Sequence, residues 1–303
     1  MRRAALRDLV DRHARAEGAV ETPIEGLQLF RVNQPIERLP TVYSPSICCI
    51  VQGSKRVYLG GATHEYDPRH YLCVTMPLPM EAEVPRATPN EPLLGLLLSL
   101  ETRAMAETVV EYEAIIGPSR GSVAPELTPG LAVAAIDSAF ATAVERLLEL
   151  LDDPVKLRVL GNGRLRELLF TIVDGEAGPL IRRTFGGSRD ISRALTHLRE
   201  HIAEPLTVDD LAARAGMSRT VFHRHFKAAT TFSPLQFIKA LRLSDAAMLI
   251  AQGANVSQAA DRVGYTSPSQ FSREFKRHFG KSPRRWGQTA AGTPPDVGAT
   301  YTR

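Results

Sequence analysis

The chain has 303 residues, 44% of them hydrophobic and 23% charged, with a formal net charge of +4. That length suggests about two domains, and the balance excludes wholesale disorder while leaving enough apolar residues for a packed core. No run reaches the ~18 uninterrupted apolar residues of a membrane span, and the three cysteines, Cys48, Cys49 and Cys73, form neither a CxxC pair nor a zinc pattern.

The N-terminal stretch MRRAALRDLVDRHARAEG carries charges throughout and no apolar h-region. It reads as an amphipathic helix and not as a signal peptide, so a cytoplasmic protein is expected. From Leu27 to about Leu100, short apolar or alternating runs (LQLFRV, SICCIVQ, KRVYLG, HYLCVTM, LLGLLLSL) are broken by Pro, Gly and Asn. Such a pattern predicts a small barrel or sandwich. Cys48 and Cys49 then point to opposite faces of one strand. All three thiols read as buried structural groups, with a reactive sensor thiol as the alternative.

Helical periodicity takes over at ETRAMAETVVEYEAII, DSAFATAVERLLELLDD and GRLRELLFTIVDG. The apolar spacing of Ala141, Val144, Leu147, Leu148 and Leu151 is wide enough for a partner as well as a core. A homodimer built through the helices near 102–116 and 137–151 is therefore expected. GEAGPL and TFGGS suggest a linker near 175–188, residues 190–279 read as helices with short turns, and TPPDVGATYTR reads as a disordered tail. The expected organisation is a dimerising front domain over 1–187, a helical domain over 188–287 and a tail over 288–303.

Charge is divided unevenly along this plan. Residues 188–287 hold 16 Lys+Arg against 8 Asp+Glu, whereas residues 1–187 hold 20 against 24. A basic third on an acidic body is the electrostatic footprint of polyanion binding.

The basic third contains a repeat. Thr207 to Ala215 matches Asn255 to Val263 at an offset of 48, with Thr207 and Asn255 as N-caps and Ala212 and Ala260 as small contact residues. Gly216 and Gly264 follow as left-handed helix ends. After that turn the offset becomes 49: Ser218 matches Ser267, Phe222 and Phe226 match Phe271 and Phe275, and Lys227 matches Lys276. Pro268 occupies the first position of its helix, where a missing N–H costs nothing. The chain thus holds two helix–turn–helix units, the second with a turn one residue longer.

At 100° per residue, Phe222, Phe226 and Ala229 share one stripe, and Thr220, His223, Arg224 and Lys227 share the opposite one. In the second unit Phe271, Phe275 and His278 read as the inner side, with Ser269, Ser272, Arg273 and Lys276 outside. Neither outer stripe carries an acid. Arginine can donate two hydrogen bonds to guanine O6 and N7, short hydroxyls can approach base edges, and lysine one turn on can reach phosphate.

The text GYTSPSQFSREFKRHFGKSP, Gly264 to Pro283, resembles the second unit of the DNA-binding domain of the AraC family of transcriptional regulators. The connecting helix LRLSDAAMLIAQG, with Arg242 and Leu249, is similar as well, and the likeness spans about 190–287. Thr231 departs from the pattern, standing where Gly280 stands in the second unit. PSICCIVQGSKRVYLGGATHEYDPRHYL in the front half is similar to the effector domain of one branch of that family, a small cupin-like barrel.

The fold class so implied is α+β: a cupin-like barrel with flanking helices, then an all-α domain with two helix–turn–helix units. The function implied is sequence-specific control of transcription in response to a small organic effector. Two recognition helices, 218–229 and 268–279, are expected in adjacent major-groove segments of double-stranded DNA. Base edges fall to Thr220, His223 and Arg224 in one half and to Ser269, Gln270 and Arg273 in the other, with Gln270 on the flank. Ser218, Lys227, Ser267 and Lys276 are the phosphate candidates. RNA polymerase is a further partner that the resemblance allows, and no membrane partner is expected. No cofactor, no metal and no catalytic activity are expected. Two rival readings are an effector-free architectural DNA-binding protein and a metal-dependent cupin enzyme tethered to DNA. The enzyme would need ligands such as His64 and His70, a sparse set.

Overall fold

In the computed structural model the described residues are 2–100, 103–117, 130–185 and 190–290. The disordered tail expected over 288–303 falls mostly outside them, and its first residues belong to a helix that runs to Ala290.

The described residues form ten strands. They are β1 (Gly18–Glu21), β2 (Leu27–Val32), β3 (Ile36–Tyr43), β4 (Ser46–Gln52), β5 (Lys55–Leu59), β6 (Ala62–Tyr66), β7 (His70–Val74), β8 (Leu78–Val84), β9 (Leu93–Ser99) and β10 (Leu131–Ala135). The five apolar runs supply β2, β4, β5, β7 and β9. One sheet runs β1-β2-β9-β4-β7-β10 and the other β3-β8-β5-β6, with antiparallel neighbours.

Why SICCIVQ and LLGLLLS lack polar alternation is now plain: both strands lie in the middle of the larger sheet and are covered on both faces. Cys48, Ile50, Leu93 and Leu97 point between the sheets, among Phe30, Tyr43 and Val57. Ile47, Cys49, Val51, Leu94, Leu96 and Leu98 point outward onto helices. Gly95 interrupts the leucines because a Cβ there would lie 2.4 Å from the Phe30 ring and 2.5 Å from the Cys49 carbonyl. The inner space also takes up Lys55, fully buried, with its Nζ 5.3 Å from the centre of the Tyr43 ring.

Helices α1 (Arg2–His13), α2 (Arg103–Ile116), α3 (Ser138–Leu148), α4 (Pro154–Asp174) and α5 (Gly178–Phe185) cover the outer face of the larger sheet. Asp137 caps α3 by accepting from the Phe140 N–H at 2.7 Å, and Phe140 stacks on Tyr71 with ring centres 4.6 Å apart.

Two expectations are corrected here. The segment expected as a linker contains α5, whose Pro179 sits in the first turn, where its missing N–H is tolerated. Leu180, Ile181 and Thr184 of α5 are buried. The stripe that motivated dimerisation is consumed by the chain's own core, since Val144, Leu147 and Leu148 are each 1% exposed. Exposed large apolar residues stand on α2, the other helix expected to pair subunits, and on α4 and the later helix Pro234–Ala251, among them Val110, Val155, Val159, Phe170 and Leu235.

The C-terminal part consists of α6 (Asp190–Glu200), α7 (Val208–Arg214), α8 (Arg219–Thr230), α9 (Pro234–Ala251), α10 (Val256–Arg262), α11 (Pro268–Phe279) and α12 (Pro283–Ala290). Its first unit shares one continuous apolar cluster with the interior of the sheets, joining Phe222, Phe226 and Phe237 to Val42 and Met80.

Candidate nucleic-acid interface

Each helix–turn–helix is built from local capping chemistry. Thr207 and Asp210 form a reciprocal capping box at α7, and Asn255 accepts from the Gln258 N–H at 2.8 Å to start α10. Gly216 (φ 64°) and Gly264 (φ 80°) take the left-handed turns expected of them. Ser218 and Ser267 cap α8 and α11, accepting from the Val221 and Gln270 N–H groups at 3.5 and 3.3 Å. The turns span 215–218 and 263–267, so the second is longer by one residue.

The aromatic anchors hold both helices to their own bundles. Phe222, Phe226, Phe271 and Phe275 are fully buried. Phe237 meets Phe226 edge-on at 5.2 Å, and Trp286 meets Phe275 at 6.1 Å while its indole N–H donates to the Ala247 carbonyl at 3.1 Å. His278 departs from its expected inner position. It borders a groove between the sheets and α9, beside Arg38, Tyr58 and Glu81, where burial lowers its pKa.

With the anchors inside, the opposite stripes face solvent. Thr220, Arg224 and Lys227 are exposed and His223 is half-buried; Ser269, Gln270, Arg273 and Lys276 are exposed. Ser218 is exposed and Ser267 half-buried. Among the described residues, Arg224, Lys227, Arg273 and Lys276 have no ion-pair partner, while neighbouring Arg219 is occupied by Asp209 at 3.1 Å. Gln270 leans back on its own helix, its Nε2 donating to Glu274 at 3.4 Å.

Glu274 is the acid of α11, and it is turned away from the exposed stripe. It accepts from Lys239 Nζ at 3.0 Å and from the Tyr265 hydroxyl at 2.9 Å. Burial alone would raise its carboxyl, but these hydrogen bonds and the Lys239 charge outweigh burial and hold its pKa below the ordinary value.

Arg242 has a role that pattern reading missed. From α9 its guanidinium donates to the carbonyls of Ile202 at 2.9 Å, Glu204 at 2.7 Å and Gly264 at 3.5 Å. One side chain therefore ties the loop before the first unit to the turn of the second. No local pattern announces three carbonyl acceptors so distant in sequence. α9 itself, 18 residues or about 27 Å at 1.5 Å per residue, spans between the units.

The histidines weighed as a cupin metal pair fall on different sheets, His64 on β6 and His70 at the start of β7. His70 Nδ1 instead meets Asp67 at 3.1 Å.

Residues 23–180, just over half of the chain, match the family described as AraC-type transcriptional regulator N-terminus. The chain belongs to that family. Residues 211–289 match a helix-turn-helix domain family, covering the whole recognition surface described above. The HTH-type transcriptional regulator AlkR of Acinetobacter baylyi is 35% identical over 100 residues, 33% of each chain. The MmsAB operon regulatory protein of Pseudomonas aeruginosa is 31% identical over 147 residues, 48% of this chain and 46% of that one. The matched stretches thus span between a third and a half of these relatives. ToxT of Vibrio cholerae, solved with unsaturated fatty acid bound, superposes on 89% of this chain and 97% of its own with a TM-score of 0.54 at 11% identity. At that identity the likeness establishes the fold alone: an AraC-type α+β arrangement of antiparallel sheets followed by a helical domain.

Proposed function

We propose that this chain is a sequence-specific, DNA-binding transcription regulator that responds to a small organic effector and works as a homodimer, and that it is not an enzyme. One observation carries the DNA reading. Arg224 and Arg273 stand at equivalent positions of α8 and α11, both exposed and without an acidic partner among the described residues, behind fully buried phenylalanine pairs. An unpaired arginine beside short polar side chains on an exposed helix face suits a major groove. Thr220, His223, Ser269 and Gln270 complete the base-reading sets, and Ser218, Lys227, Ser267 and Lys276 face phosphate.

The test is fluorescence anisotropy on DNA selected by the protein from a random library. Arg224→Ala and Arg273→Ala should each cost about 1–3 kcal/mol on selected DNA and relax specificity at one position. Equal losses on selected and random DNA for both variants would refute base reading and favour an architectural role.

The effector reading rests on an apolar cavity of about 180 Å³ between β4, α1 and α3. Leu6, Cys49, Val51, Ile136, Phe140 and Val144 line it, and its chemistry suits a small apolar molecule. The fatty acid carried by ToxT supports an apolar effector class. Ala141→Phe should fill the cavity and abolish the thermal shift given by small apolar ligands on the full chain. For the dimer, Val155 (73% exposed), Val159 (74%) and Phe170 (50%) share one stripe of α4. Sedimentation of the full chain should show a dimer that Val159→Asp dissociates. RNA polymerase completes the set of partners for a regulator of this kind.

A further inference from the structure

We propose a divalent transition-metal site at the C-terminal end of α6, with His197, Glu200 and His201 as ligands. The sequence HLREH places these three side chains at i, i+3 and i+4, on one face of a helix. His201 stands one residue past α6, and its N–H still donates to the His197 carbonyl at 3.0 Å, in helical register. One donor atom from each of the three residues lies within 4.8 Å of the others. The two imidazole rings approach to 4.0 Å between centres.

The orientation of His201 is set as a ligand's would be. Its Nδ1 lies 2.9 Å from the same His197 carbonyl, an atom that can only accept. The proton therefore sits on Nδ1, and Nε2 keeps its lone pair for an ion. A ligating histidine commonly donates its other ring N–H to a backbone carbonyl in this way.

Two imidazoles and a carboxylate select a borderline cation such as Zn²⁺, Ni²⁺, Co²⁺ or Cu²⁺ over Mg²⁺ or Ca²⁺, which prefer oxygen. Glu204 and Asp210 also lie within electrostatic reach of His197, against Arg214. Arg214 opposes a cation at His197, and the two acids offset it only in part. Ala194, Leu195 and Leu198 on the same helix are buried in the cluster that holds Phe222 and Phe226. An ion here would clamp the helix on which the first recognition helix is seated. The site lies in the helical domain, far in sequence from the cupin histidines His64 and His70.

The experiment uses the full chain, stripped with EDTA and titrated with Zn²⁺ by calorimetry and with Co²⁺ by visible absorption. One ion per chain should bind, with the Co²⁺ bands of nitrogen ligation. His197→Ala and His201→Ala should each lower affinity by at least about tenfold, the loss seen on removing even a residue that only orients a ligand. The double variant should lose the site, whereas His64→Ala and His70→Ala should leave it unchanged. Both histidines of the site are only partly buried, and circular dichroism in EDTA verifies that the variants are folded. His201→Gln serves in place of any alanine variant that is not. Equal affinity and stoichiometry in wild type and double variant, or no uptake by wild type, overturns the proposal.

Discussion

Thr231, the residue that ends the first recognition helix, rests directly on Gly60 in the turn between β5 and β6. A Cβ placed on Gly60 would lie 2.5 Å from the Thr231 hydroxyl and 2.9 Å from its Cβ. Two residues earlier, the Ala229 carbonyl accepts from the Gly130 N–H at 2.7 Å. The C-terminal end of α8, with its unsatisfied carbonyls, is therefore seated on the N-terminal domain at two points.

Gly60 and Gly61 separate the contact from backbone strain. Both have positive φ, 58° and 87°, but a Cβ on Gly61 meets nothing within 4 Å. Gly61→Ala should cost about 1 kcal/mol, the strain of a left-handed alanine. Gly60→Ala should cost that plus about 1–3 kcal/mol of overpacking. Thermal unfolding of the two variants checks the difference, and equal melting temperatures would dismiss the contact.

Thr231 is strained in its own right. It takes φ 68° where Gly280 takes 73°, and its hydroxyl is buried with no hydrogen-bond partner. The departure from glycine leaves the helix end intact, and the strain is borne by a β-branched residue. Thr231→Gly should raise stability by about 1 kcal/mol, read as a higher melting temperature. A decrease would mean that packing on Gly60 outweighs the strain.

Arg199 of α6 pairs with the nearly buried Asp245 of α9, whose second oxygen is left without a partner. Arg199→Ala should destabilise by about 3 kcal/mol by stranding a buried charge, and Asp245→Asn by much less. Burial pushes the Asp245 carboxyl above its ordinary range, with Arg199 opposing. The folded chain thus holds this proton more tightly than the unfolded chain. The group's contribution is full below the unfolded pKa and declines as pH rises through the folded one. Chemical denaturation across pH should show that decline in the wild type and not in Asp245→Asn.

The thiols offer a test of the sensor alternative. Cys48, Cys49 and Cys73 are 1%, 2% and 0% exposed, and burial pushes the thiols of Cys49 and Cys73 far above their ordinary value. A thiol reagent near neutral pH should label none of them in the native chain and all of them after unfolding. Rapid native labelling would revive the redox reading.

Salt dependence distinguishes phosphate from base contacts. Lys227→Ala and Lys276→Ala should each reduce the slope of log K against log salt by about 1 on any duplex. Binding titrations at several salt concentrations check this.

Much of the DNA surface was legible because its determinants are local. Caps at Thr207, Ser218, Asn255 and Ser267, left-handed glycines at 216 and 264, and the phenylalanine pairs four apart all act within a turn or two of helix. Their spacing alone sends Arg224 and Arg273 outward. The opposite faces of Cys48 and Cys49 follow equally from the two-residue period of a strand. The α5 helix escaped because Gly and Pro read as a linker, although Pro179 is tolerated in a first turn.

From its sequence alone, then, this protein obtained the strands of its apolar runs, its doubled helix–turn–helix and the polarity of each recognition helix, since short-range sterics, capping and periodicity require no knowledge of distant residues. Only the tertiary structure decided which apolar stripe became core. Burial of apolar area is non-directional, so Val144 and Leu147 could equally have met a second subunit. The same holds for Arg242 reaching three carbonyls, Glu274 turning toward Lys239, and Thr231 settling on Gly60. Each of those pairings joins residues far apart in the chain, and the folded packing brings them within reach.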